Sequence, residues 1–69
     1  MAVIDGARIR TLREQRGIRQ GRLAKDAGIT AYYLRAIELH GQHPSGIVAH
    51  ALAQALGVPV TELMSEDPP

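Results

Sequence analysis

One helical segment of this chain has to stop and another has to start within the three residues Gly28-Ile29-Thr30. Upstream, Leu23, Ala24 and Ala27 recur at helical spacing, and Gly28 can take the left-handed conformation that ends such a segment in a sharp turn. Downstream, Thr30 is a good N-cap. Ile29 before it and Leu34 at the fourth helical position predict a hydrophobic staple that fixes the entry angle of the second segment. Two helices joined this tightly splay, so the outer face of the second projects from the body.

The remaining punctuation is also helical. A first helix is expected from Gly6 to Arg16, with Asp5 as N-cap, Ile9, Leu12 and Arg13 to one side, and Gly17 as stop. A second begins near Arg19 or Gln20. Gln42, His43, Pro44 and Ser45 form a loop and a helix start. Val48, Ala49, Leu52, Ala53 and Leu56 then share a face until Gly57. Pro59 opens a short fifth helix burying Val60 and Leu63. Nothing alternates like a strand, so the expected fold is all-α, compact and five-helical, with one domain over 1–64 and a flexible tail or linker over 65–69. With no Cys, Phe or Trp in 69 residues, the core must be aliphatic and closely packed, without disulfides or thiolate zinc to help it.

Charge is divided along the chain. All eight Lys and Arg precede position 41, where they outnumber Asp5, Glu14, Asp26 and Glu38 by four; beyond it stand only Glu62, Glu66 and Asp67. A polyanion site therefore belongs to the first half. No apolar run is long enough for a membrane span, and the start lacks the pattern of a signal peptide, so a cytoplasmic protein is expected. No cofactor and no metal are expected: His40, His43 and His50 have no Cys beside them. The serines and threonines have no evident base, so no enzyme is expected either.

Over almost its whole length the chain resembles the xenobiotic-response-element and lambda Cro type helix-turn-helix family. The residues that carry the likeness are Ile9, Leu12, Arg13, Gly17-Ile18, Gln20, Leu23-Ala24, Ala27-Gly28-Ile29-Thr30, Tyr33, Leu34, Ile37-Glu38, Pro44-Ser45, Leu52-Ala53, Ala55-Leu56-Gly57-Val58 and Leu63. The resemblance implies a lambda-repressor-like domain that binds double-stranded DNA, with the helix after Thr30 in the major groove. It assigns base contacts to Thr30, Ala31, Tyr32, Arg35 and Ala36, with Arg35 as the fork that fits guanine. It assigns phosphate contacts to Gln20, Tyr33 and Ser45, and a structural ion pair to Arg13 and Glu38; Arg19 and Arg22, which flank Gln20, and His43 in the loop are expected to add phosphate contacts by their charge and position. Two positions depart from the pattern: Arg19 stands where a Ser or Thr usually caps, and the loop glycine is Gly41, one place late, after His40.

The expected function is transcriptional regulation, with repression as the default. A domain this small needs a partner subunit or a larger parent protein, so a homodimer on an inverted repeat is expected, with half-sites about 34 Å apart. Val58, Val60 and Met64 offer a dimer surface or complete the core. The alternative is a protein-interaction module of the same fold, an antitoxin or adaptor subunit.

Overall fold

The computed structural model describes residues 2–66. In chain order it holds a strand β1 (Ala2–Ile4), helices α1 (Gly6–Gln15), α2 (Gln20–Ala27), α3 (Ala31–Leu39) and α4 (Gly46–Leu56), a 3-10 turn (Val60–Leu63) and a strand β2 (Met64–Glu66). There are thus four α-helices among the described residues, not five. The segment after Pro59 is too short for an α-helical ladder. Its Glu62 N–H reaches back three residues to the Pro59 carbonyl at 2.9 Å, and Met64 already has extended backbone.

Nor is the chain wholly helical. β1 and β2 pair antiparallel, with Ala2 opposite Glu66, Val3 opposite Ser65 and Ile4 opposite Met64. Ser65 and Glu66, expected in a tail, therefore belong to this ribbon, while residues 67–69 lie outside the described ones. Beside it the Asp5 N–H donates to the Leu63 carbonyl at 2.7 Å, and Arg8 Nε donates to the Glu62 carbonyl at 2.8 Å. The start and end of the described chain are thereby held together.

Ile9, Leu23, Leu34, Leu52 and Leu63 are fully buried, one each from α1, α2, α3, α4 and the 3-10 turn. Every helical element thus sends one large aliphatic side chain to a common centre. Each such burial contributes about 2 kcal/mol. Ile29 packs against this core, on which Leu34 is also seated, so both members of the staple are engaged.

Turn chemistry sets the angle between α2 and α3. Gly28 sits at φ 74°, its N–H donates to the Lys25 carbonyl at 3.1 Å, and the next N–H, of Ile29, reaches the Ala24 carbonyl at 2.9 Å. This pair of bonds satisfies the last carbonyls of α2 and turns the chain at once. Two residues later the Thr30 hydroxyl accepts from the Tyr33 N–H at 3.0 Å and opens α3.

Candidate nucleic-acid interface

Helix α3 divides cleanly. Leu34, Ile37 and Glu38 are buried against the body, while Ala31, Tyr32, Arg35 and Leu39 are exposed and Ala36 is half-buried. Tyr32 stands 85% exposed, although it is one of only two aromatic residues in the chain. Tyr32, Arg35, Ala36 and His40 line one shallow hollow on this outer face. The other tyrosine, Tyr33, is half-buried and packs against the core. Thr30, Ala31, Tyr32, Arg35 and Ala36 are thus consecutive or one turn apart on one helix. The Thr30 oxygen accepts the cap bond, and its own O–H is left to donate elsewhere.

A second hollow, at the start of α2, is lined by Gly17, Ile18, Arg19, Arg22 and Asp26. Arg19 is the N-cap residue by position, but its side chain makes no cap bond, so the first N–H groups of α2 are left without a side-chain acceptor. Arg22 does not stand free. Its Nε donates to both carboxylate oxygens of Asp26, at 3.2 and 3.0 Å, which neutralises part of the charge. The four-residue spacing of Arg22 and Asp26 on one helix was the readable signal for this pair. Among the described residues, Arg19 and Arg35 take part in no ion pair.

Among the described residues one charged cluster is buried. Arg13 Nε and Nη2 donate to the two oxygens of Glu38 at 2.8 and 3.0 Å, and Arg13 Nη1 donates to the Ile18 carbonyl at 3.0 Å. The Glu38 side chain is wholly inaccessible and that of Arg13 only 11% exposed. The hydrogen bonding of Arg13 to the Glu38 carboxylate raises the Arg13 pKa above its ordinary value, against the opposing effect of burial. Gln20 joins the cluster, its Nε2 donating to Glu38 Oε1 at 3.1 Å. This contact joins residues on two different helices, and no local pattern in the sequence announces it.

His43 and Ser45 lie apart from both hollows. The Ser45 hydroxyl accepts from the Val48 N–H at 3.2 Å and caps α4. His43 borders a largely apolar groove of about 700 Å³, whose walls include Val3, Ile47, His50, Val60 and Met64. Ile47 stands 85% exposed at this groove. In the loop before it, Gly41 at φ 70° takes up the turn one residue after His40, and the Gln42 N–H reaches the Ala36 carbonyl at 3.2 Å. The shifted glycine therefore still turns the chain. Among the described residues no three His, Cys, Asp or Glu are placed to hold a metal ion, and no helix is long and apolar enough to cross a membrane.

The profile of a family described as helix-turn-helix matches residues 9–63. The immunity repressor protein of Bacillus phage phi105 is 36% identical over 62 residues, which cover 90% of this chain and 43% of the phage protein. The chain thus spans less than half the length of that relative. The restriction-modification controller protein C.AhdI of Aeromonas hydrophila superposes with a TM-score of 0.80 at 33% identity, over 84% of this chain and 88% of that one. SinR, the master regulator for biofilm formation of Bacillus subtilis, solved in complex with DNA, superposes with a TM-score of 0.80 at 33% identity, over 87% of this chain and 97% of that one.

Proposed function

The chain belongs to the helix-turn-helix family of lambda-repressor-like, DNA-binding transcriptional regulators, and from that membership we propose that it represses transcription by laying α3 in the major groove of duplex DNA. The observation that carries this reading is the outer face of α3. Arg35 is exposed and free of any ion pair there, next to an exposed Tyr32, while the opposite face is locked into the core. An unpaired guanidinium on a projecting helix is equipped to bond the O6 and N7 atoms of guanine. Thr30, Ala31, Tyr32 and Ala36 supply the neighbouring contacts, with the small or apolar groups against thymine methyls.

Arg19, Gln20 and Arg22 at the start of α2, Tyr33 on α3, and His43 and Ser45 before α4 are assigned to phosphates on either side of the groove. The uncapped N–H groups of α2 favour the same anion. Arg22 reaches a phosphate by exchanging Asp26 for it. The finer likeness, to the xenobiotic-response-element and lambda Cro type, rests on the family positions from Ile9 to Leu63. The immunity repressor and C.AhdI, a controller protein, are regulators by name, which supports a cytoplasmic, nucleoid-associated regulator over an enzyme.

A homodimer on an inverted repeat completes the reading, since one α3 of nine residues offers few base contacts. The groove beside Ile47, Val60 and Met64 is the surface assigned to the partner copy. The same apolar groove also favours the second reading, an antitoxin or adaptor module.

A salt titration of duplex binding separates the two. With several phosphate contacts, log affinity should fall against log salt with a slope steeper than about −2, at about −0.9 per phosphate. Absence of duplex binding at low salt selects the interaction module.

A further inference from the structure

We propose that Glu38 is a positioning residue for DNA binding: through Gln20 it presents an amide N–H from the start of α2 to a backbone phosphate, so that the buried ion pair and the phosphate grip form one unit. This rests on the regulator reading above and extends it to a residue that itself touches no DNA.

The geometry sets the orientation. Glu38, facing a guanidinium, can only accept hydrogen bonds, and its Oε1 already accepts from Arg13 Nη2 at 3.0 Å. An amide that meets this oxygen must turn its nitrogen toward it, and Gln20 does so at 3.1 Å. One N–H of a planar amide being fixed, the direction of the other is fixed too. Gln20 is the first residue of α2 and half-buried, so only part of its side chain meets solvent, beside the uncapped backbone N–H groups of the same helix end. A phosphate placed there receives the helix-end N–H groups and the remaining amide N–H together.

Arg13 completes the device. Its guanidinium holds Glu38 with two donors and the Ile18 carbonyl with a third, so the carboxylate, the chain entering α2 and the amide are tied to one planar group. An arm held this way loses little freedom when it binds, whereas an exposed glutamine must first be ordered.

The test is a double-mutant cycle read by DNA affinity. Arg13→Met with Glu38→Leu replaces the cluster by apolar groups of similar volume, an exchange that buried ion pairs often tolerate. In the unaltered chain, Gln20→Ala should weaken every duplex about fivefold and leave the salt slope unchanged, because a neutral amide that bonds a phosphate releases no counterion. In the apolar background the same change should cost less than about twofold. Equal losses in both backgrounds overturn the proposal.

A measurement on the unaltered protein without DNA covers a swapped variant that fails to fold. The side-chain NH₂ pair of Gln20 should be shifted from those of Gln15, Gln42 and Gln54 and exchange more slowly with water, and it should keep its orientation when duplex is added. A Gln20 pair that overlaps the others overturns the positioning role. If the amide is ordered but the unaltered chain binds no duplex, it is the regulator reading that fails, and the phosphate role falls with it.

Discussion

Gly6, the first residue of α1, lies directly against the backbone carbonyl of Ile37 in α3, so closely that a Cβ on Gly6 would overlap that oxygen and press on the carbonyl carbon and on Glu38 Cα. The obstruction is backbone, which cannot rotate away as a side chain can. α1 and α3 therefore meet at a distance that only glycine allows, and the Arg13–Glu38 bonds span the same pair of helices.

Gly6→Ala should accordingly force the helices apart and cost about 2–3 kcal/mol, the upper part of the range for an overpacked core. Gly21→Ala is the control. Nothing lies within 4 Å of the position its Cβ would take, so stability should hold or rise by up to about 1 kcal/mol. Urea denaturation of the two variants distinguishes them, and an equal effect would mean that the α1–α3 contact is looser than described.

Gly28 and Gly6 show what a sequence can and cannot disclose. Gly28 was legible because its role is local: the left-handed turn is decided by the bonds of Gly28 and Ile29 to residues three to five places back. Thr30 and Asp5 were legible as caps for the same reason, each accepting from an N–H two or three residues on. Gly6 was not, since the residue that excludes its side chain is Ile37, far along the chain. The β1–β2 ribbon escaped for a related reason. Each strand has three residues, too few for alternation to register, and each partner lies at the opposite end of the chain. At the candidate site, the outward set on α3 followed from helical period, whereas the inward turn of Gln20 toward Glu38 depended on how α2 and α3 are set against each other.

Breaking the buried pair should be expensive from either side. Arg13→Ala leaves Glu38 buried without its partner, and Glu38→Ala strands the guanidinium; each should cost about 3–5 kcal/mol. The raised pKa of Arg13 stabilises the fold fully below the unfolded value, and that contribution is lost only as pH rises through the folded one. Across the acid to neutral range Arg13 should therefore add no slope to a stability-versus-pH curve, which denaturation at several pH values can check.

The caps make a smaller, local prediction. Ser45→Ala should cost about 1 kcal/mol by leaving the Val48 N–H without its acceptor, and under the phosphate role proposed for Ser45 it should weaken all duplexes alike with no change in base preference. Thr30→Ala should cost a similar amount, because that hydroxyl opens α3, and under the base-contact role proposed for Thr30 it should also weaken binding to duplex DNA. Thermal melts and binding curves run on both variants separate the two effects.

Arg35 and Arg19 should part company in binding. Arg35→Ala should relax preference at one base position by about 1–3 kcal/mol, and Arg19→Ala should weaken all duplexes alike while flattening the salt slope by about 0.9. A uniform loss from Arg35→Ala would move that residue from the base edges to the backbone.

The claim on which the rest depends is that α3 reads duplex DNA, and selection of bound sites from random duplexes tests it most directly. An inverted repeat should be enriched, with half-site centres about one helical turn apart, near 34 Å. Each half-site should carry a guanine at the position whose preference Arg35→Ala abolishes. A pool that stays unenriched at low salt, or a motif unchanged by Arg35→Ala, would mean that α3 does not read duplex DNA in this way.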